Sequence, residues 1–344
     1  VSIPRGISAY GWIALLGACI AHGSGSVAIL DTDDASSDSD TRTDSDPPSD
    51  TQVADTDAVD TESGLDSDGT DSDIADTDAV AEVGLCASYA AAVSTGRVDD
   101  PALDEISGLV ASRKNPGVLW VLEDSGNEAE LYALDEDGQT LATVAVTGAT
   151  NVDWEDLAVA PCGEDWCLWI GDIGDKGGGR TEFQLYRVEE PTLGDSPNLT
   201  VEAVAFPFTY PSTAEDAEGL AILPDGNPLV VTKRANATAG LFTLRAGDSV
   251  LTLEGEVATG IPGEDLTARA TAADLTPDGQ RLLIRTYLYL FEVDVSDLAS
   301  PARVTNLVPG LEIQGESAGY DPVQRAVWHI SEGDRPKIHI ARCR

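Results

Sequence analysis

Five segments of this sequence superpose as copies of a single hairpin: ISGLVASRKNPGVLWVLED, WEDLAVAPCGEDWCLWIGD, AEGLAILPDGNPLVVTK, ATAADLTPDGQRLLIRT and GESAGYDPVQRAVWHIS. Each opens with a strand of small residues, turns at a polar tip and returns as a strand of aliphatic and aromatic residues. Ser107, Glu155, Glu218, Thr271 and Glu316 share one alignment position, at intervals of 48, 63, 53 and 45 residues. A lone hairpin cannot bury its own apolar face. Units recurring every ~40–50 residues are the signature of four-stranded blades stacked around an axis. No window of helical length carries a 3.6-residue apolar stripe. The expected fold is all-β: a β-propeller with five blades counted and six as the other number the spacing allows.

The last copy reaches Arg344 with only three strands. The run CASYAAAV, Cys86 to Val93, is expected to supply its missing outer strand, so that the two ends of the domain share one blade and leave no free edge. The cysteines agree with this closure. Of the five, Cys86, Cys162, Cys167 and Cys343 fall in the strand-rich part. Four cysteines in an exported domain suggest two disulfides, with three pairings available. Cys162 and Cys167 sit in PCGEDWC, a spacing that a tight hairpin can bridge, and Cys86 and Cys343 are the first and last landmarks of the domain. The paired C-x-x-C spacing and neighbouring histidines of a zinc site are missing.

The fifth cysteine, Cys19, ends the run Leu16-Gly17-Ala18-Cys19 behind Arg5 and an apolar stretch from Ile7 to Ala18. At about 12 residues that stretch is short of the roughly 20 that cross a bilayer. It reads as a signal sequence, and its end resembles the bacterial lipobox, which implies a diacylated Cys19 at the mature N-terminus. Ile20 stands where an inner-membrane retention aspartate would be, which points to the outer membrane or cell surface. From Asp31 to Glu82 Asp, Ser, Thr and Ala dominate, with no aromatic residue and no lysine. ADTDAV occurs twice, and such a segment cannot offset the entropy of ordering. DSDGTDSD within it is similar to aspartate-rich calcium loops, but Thr77 stands where an EF-hand loop closes with glutamate. The expected organisation is a signal peptide at 1–18, a lipid-anchored disordered stalk at 19–85 and a monomeric propeller at 86–344. The formal net charge of −41 repels nucleic acids, which need Lys/Arg-rich faces, and favours divalent cations and basic partners.

The order DEISGL, NPGVLWVLEDSG, LYALDEDG, NVDWEDLA, GDIGD, DAEGLA and QGESAGYDP resembles secreted bacterial β-propellers related to the SdiA-regulated and phytase-like esterase families. It is similar more distantly to NHL-type and gluconolactonase-type propellers. The resemblance covers Leu103 to Cys343 and implies the fold. In gluconolactonase- and phytase-type members it implies calcium held at the axis for hydrolysis of lactones or phosphate esters. Lys176, after GDIGD, replaces the amide usual there, which weakens transfer of a metal role to that loop.

The repeat stacks acids at equivalent positions: Glu155, Glu218 and Glu316, with Asp156 and Asp216 beside them. Asp124, Asp172, Asp175, Lys233, Arg285 and Glu332 close the second strands. Equivalent positions in different blades project to one face, so these residues are expected to ring one mouth. Glu155, Asp172, Glu218 and Glu316 are the expected ligands of a Ca2+ ion, which takes 6–8 oxygens. The expected function is binding of an unidentified small molecule or protein on this acidic face with Ca2+. A calcium-dependent hydrolase and a structural or adhesive envelope protein are the alternatives. GESAG matches the G-x-S-x-G pattern around Ser317, but no strand–turn–helix follows it. DIGDKGGGR lacks the G-K-[ST] end of a phosphate loop. His329 reads as a packing residue on an alternating strand.

Overall fold

The computed structural model describes residues 86–344 except 262, 308–311 and 313. The expected signal peptide, Cys19 and the acidic stretch lie outside the described residues. Strand β1 (Val93–Arg97) comes first, and its partner comes last. Blade one follows as β2 (Ile106–Ala111), β3 (Val118–Glu123), β4 (Glu130–Asp135) and β5 (Thr140–Thr147). Blade two begins with β6 (Trp154–Cys162), β7 (Asp165–Asp172) and β8 (Phe183–Glu189). The chain then returns to lay β9 (Asn198–Glu202) parallel to β5, before β10 (Val204–Phe208) completes blade two against β8. That excursion accounts for the longest interval of the repeat.

Blade three is β11 (Ala217–Ile222), β12 (Pro228–Thr232), β13 (Thr238–Thr243) and β14 (Thr252–Ala258). A single helical turn, α1 (Asp265–Ala268), leads to blade four: β15 (Ala270–Leu275), β16 (Arg281–Thr286), β17 (Leu290–Asp294) and β18 (Ala302–Leu307). Blade five is β19 (Gly315–Asp321), β20 (Ala326–Ser331) and β21 (Lys337–Arg342), with β1 pairing antiparallel to β21. The structure is thus a five-bladed β-propeller closed by strands from both ends of the domain.

The closing strand lies later than CASYAAAV. Residues before Val93 make one bridge, Tyr89 to Cys343, and then cross to blade four. There Tyr89 Oη donates to Glu292 Oε1 at 2.5 Å, and Arg281 Nη1 donates to the Cys86 carbonyl at 3.1 Å. Of this run, Tyr89 and Ala92 pack against the seam of blades four and five, beside Leu283, Leu290 and Tyr320. The disulfides are Cys86–Cys343 and Cys162–Cys167, with Cα atoms 5.4 and 5.7 Å apart.

An apolar cluster fills each seam between neighbouring blades. Trp120, Trp154 and Trp328 are fully buried. Each indole N–H finds an acceptor: Glu190 Oε1 at 2.9 Å, the Thr150 carbonyl at 3.0 Å and Asp321 Oδ2 at 3.1 Å. This satisfies the one polar atom of an otherwise apolar side chain. Small residues on the inner strands let them converge. A Cβ on Gly108 would stand 2.7 Å from the Leu157 nitrogen of the next blade.

Candidate functional site

In all five blades the pairing of first and second strands slips by one residue at the same place. The unpaired residues are Ser107, Glu155, Glu218, Thr271 and Glu316. A bulge re-aims the side chain it carries. Here it puts the repeat position seen in the sequence at one end of the axis. Two residues earlier, Glu105, Asp153, Asp216 and Gln314 accept from the backbone of the loop after the second strand: from Asp124, Gly174, Lys233 and Glu332 at 2.9–3.1 Å. In blades one, two, three and five the start of the inner strand and the loop behind it therefore share one rim.

Below this rim the axis is shut. Asp156, wholly buried, accepts from the Leu157 and Leu220 nitrogens at 2.8 Å and from the Ala273 nitrogen at 3.0 Å, joining blades two, three and four. Asp274 does the same for blades four and five, taking the Tyr320 nitrogen at 2.7 Å. Asp156 is thus a plug that satisfies backbone donors from three inner strands across the axis.

On the blade two–three side, oxygens of Glu155, Asp216 and Glu218 lie within 4.8 Å of one another. Ser107 Oγ donates to Glu155 Oε2 at 3.2 Å. A Cβ on Gly174 would sit 2.3 Å from Glu155 Oε1, so a larger residue there would push the Glu155 and Asp153 carboxylates out of place. Lys233 Nζ closes an ion pair with Glu218 Oε1 and stands 4.9 Å from the Tyr287 ring centre. Glu218 Oε2 is buried with no hydrogen-bond partner among the described residues, as are Glu316 Oε2, Asp124 Oδ1 and Asp172 Oδ2.

Burial is the largest cause pushing these carboxyls up. Glu155 and Glu218 are raised well above the usual range, both by burial first, then Glu155 by Glu218, Asp153 and Asp216 and Glu218 by Glu316 and Asp216, with Lys233 opposing in each case. Glu316 is pushed up to about 8 and Asp124 to about 7, and Asp153 and Glu332 are raised. Burial works against the Lys233 charge, but Glu218 and Glu316 more than offset it and hold the ammonium above its ordinary range.

The sequence-predicted residues divide. Glu155, Glu218, Glu316, Asp124, Lys233 and Glu332 do share the rim. Asp175 lies beside it, donating its N–H to Asp216 Oδ1 at 2.7 Å while its carboxylate accepts from the Gly179 and Arg180 nitrogens at 3.1 Å. Asp172 does not join Glu155 and Glu218, since its Oδ1 accepts from Arg180 Nη1 and the Asp153 nitrogen at 2.8 and 3.0 Å. It occupies the pairing position of Glu123 and Thr232; Ile173 takes the rim position that follows.

Arg285 is likewise displaced, into the seam between blades four and five. In the ladder it matches Leu122, Val231 and Ile330, all buried between blades, so Tyr287 is the true counterpart of Asp124, Lys233 and Glu332. Its Nη2 donates to Glu312 Oε2 at 2.6 Å. His329 and His339, stacked 5.1 Å apart, place Nδ1 atoms 2.9 and 3.1 Å from the same carboxylate. Burial is the largest single influence on Glu312 and acts against its charge, but Arg285 and the hydrogen bonds from His329 and His339 together outweigh it and hold the carboxyl far below its usual range; burial also lowers His329 to about 4. With a guanidinium already on the carboxylate, the cluster is a seam tie. Ser317 is buried on a regular strand, its Oγ donating to the Ile330 carbonyl at 3.2 Å.

A five-bladed propeller with an acidic rim at one end of its axis is the class that fold and site define. Among solved structures it is similar to the glutaminyl cyclase of Myxococcus xanthus, with a TM-score of 0.47 and 13% identity over 75% of this chain and 98% of that one. It is similar also to the PQQ-bound aldose sugar dehydrogenase of Streptomyces coelicolor, with a TM-score of 0.44 and 11% identity over 75% and 99%. A streptogramin B lyase gives 0.40 and 10% identity over 74% and 98%. The likeness is of fold alone. No family model and no curated protein matches the sequence.

Proposed function

We propose that this protein binds a small ligand in the propeller mouth through a Ca2+ ion held by Glu155, Asp216 and Glu218. The observation that supports it is the convergence of three carboxylates from two blades around a buried Glu218 oxygen that has no partner. The donor set is all oxygen, as a hard cation requires, and three protein ligands leave most of the 6–8 positions of Ca2+ open. Lys233 neutralises only part of the local charge, and the upward displacement of Glu155, Glu218 and Glu316 is the electrostatic tension that a bound cation relieves. Bound there, Ca2+ would supply coordination sites for ligand oxygens. Ser107, Gly174 and Lys233 hold the carboxylates in place, and the Asp156 plug keeps the floor closed.

Metal analysis and melting curves with calcium or chelator test this reading. Ca2+ that binds only the folded state stabilises it by about 2.7 kcal/mol at one hundred times Kd. Asp216→Asn should shrink that shift, and indifference of the melt to calcium and chelator removes the cation. The same preparation, assayed on lactones and phosphate esters with and without chelator, separates a hydrolase from a binding protein. From its sequence, we propose that the chain is exported and held on the outer membrane by a diacylated Cys19. Acyl incorporation that survives Cys19→Ser would disprove this.

A further inference from the structure

Strand β6 starts at the rim with Trp154 and ends away from it at Cys162. A groove of about 390 Å³ opens at that far end, lined by Cys162, Gly163, Asp165, Cys167, Arg187 and Glu189, so both halves of the hairpin disulfide form its wall. A space of that size admits a small molecule. Cys162 is half-buried and Cys167 is 6% exposed. The turn leaves the approach clear, since even a Cβ on Gly163 would meet no atom within 4 Å.

Across the ladder Cys167 faces Glu189 and Trp169 faces Arg187, so Arg187 stands on the diagonal from Cys167, within reach of a long side chain. Its guanidinium lies over the Trp169 and Phe206 rings, 5.5 and 5.3 Å from their centres. No carboxylate pairs with it among the described residues. The two acids of the groove are taken by another cation: Lys114 Nζ lies 2.8 Å from Asp165 Oδ2 and 3.4 Å from Glu189 Oε1. Arg187 is thus a fixed positive charge near sulfur, and such a charge stabilises a thiolate and makes it leave more readily. The hairpin itself does not depend on the bond. β6 and β7 pair from Trp154–Asp172 to Cys162–Asp165, and Leu157, Leu168 and Ile170 are fully buried in the seam. A separation of 5 residues adds little constraint to the chain. The bond can therefore open and reform while the blade stays folded.

We infer that Cys162–Cys167 is a redox-active disulfide that oxidises a small dithiol entering this groove, with Arg187 favouring the leaving thiolate. A thiolate of the dithiol attacks the more open Cys162 sulfur, the Cys162–Cys167 bond breaks, and Cys167 departs as a thiolate beside Arg187. The second thiolate of the dithiol then attacks its own sulfur in the mixed disulfide and releases Cys162. The dithiol leaves as a disulfide. Two electrons have passed to the cysteine pair, and the two protons lost by the dithiol are taken up by Cys162 and Cys167. The reaction is separate from the mouth and from its calcium.

The test is reduction of the folded full chain by dithiothreitol near neutral pH, with acid quenching, alkylation and peptide mapping of each cysteine pair. Cys162–Cys167 should open at least about tenfold faster than Cys86–Cys343. The first equivalent of oxidised dithiothreitol should appear with loss of that bond alone, and the melting transition should persist. Arg187→Gln should slow the opening about three- to tenfold. Arg187→Lys should keep most of the rate, which separates charge from packing. The comparison of the two bonds is made in the unaltered chain and stands whether or not either variant folds. Equal rates for the two bonds, or opening of Cys162–Cys167 only in denaturant, overturns the inference. A rate unchanged in folded Arg187→Gln overturns the part given to Arg187.

Discussion

Lys233 and Glu218 form an ion pair almost sealed from water, with side chains 8% and 5% exposed. The pair sits beside Glu155, Asp216 and Glu316, so Lys233 is the counter-charge on which the mouth depends. Breaking a buried pair from one side costs about 3–5 kcal/mol, since a charge is left without compensation. Lys233→Met should lose about that much at pH 8, less at pH 5 where Glu218 can take a proton, and recover part of it with calcium. Urea denaturation at the two pH values measures it. An equal loss at both would mean that Lys233 acts through packing alone.

The pH dependence of stability should have two limbs. Glu316 and Asp124 stand at about 8 and about 7, against ordinary values of 4.5 and 3.8. The folded protein therefore keeps protons that the unfolded chain releases. Their contribution is fully present below the unfolded values and is lost as pH rises through 7 and 8. His329 has the opposite sign. Burial holds it at about 4 against 6.5, so acidification protonates the unfolded chain first and stability falls below about pH 6.5. Without calcium, Glu316→Gln should flatten the alkaline limb and leave the acid limb unchanged. An alkaline limb identical to that of the parent would count against the assignment.

Asp156→Ala should cost more than most buried substitutions. It strands three backbone N–H groups on two neighbouring blades and its own, at about 1–3 kcal/mol each for an unsatisfied buried group. Hydrogen exchange should quicken at Leu220 and Ala273 before it does in the outer strands. Protection at those two amides equal to the parent would show that the plug is dispensable.

The two disulfides should differ in worth. Cys86–Cys343 closes 257 residues and Cys162–Cys167 closes 5. In the chain-entropy account, stabilisation grows with the loop. Replacing Cys86 and Cys343 with serine should cost about 2–5 kcal/mol, and replacing the hairpin pair distinctly less. Equal midpoints in guanidinium would contradict this ordering.

Much of the fold was legible because each blade repeats the same solution. Small inner strand, turn and apolar second strand recur in sequence as they do in space, and both cysteine pairings followed. The bulge was visible only as an aligned position; that Glu155, Glu218 and Glu316 are unpaired in the ladder needs the backbone. Arg285 shows the limit. It looked like a strand-end cation, but alternation places it with Val231 and Ile330, and Tyr287 two residues later holds the rim. Glu312 left no signal at all, because it lies between strands, outside the repeat. Its partners Arg285, His329 and His339 come from different strands of two blades. The excursion of β9 to the edge of blade one was equally hidden, since parallel pairing across blades leaves no turn signature.

The pairing of β1 with β21 also sets an order of events during synthesis. The strand at Val93–Arg97 leaves the ribosome before any blade exists, yet the strand it pairs with, Lys337–Arg342, is the last of the propeller's described strands to emerge. Blades one to four can each complete their sheets as they appear. The first strand made must wait with an open edge until the rest of the propeller has been synthesised, exposed to other partners in the meantime. A nascent chain stalled before residue 337 therefore holds four finished sheets and an unsealed ring. Its two closing cysteines cannot meet, because the second has not yet been added.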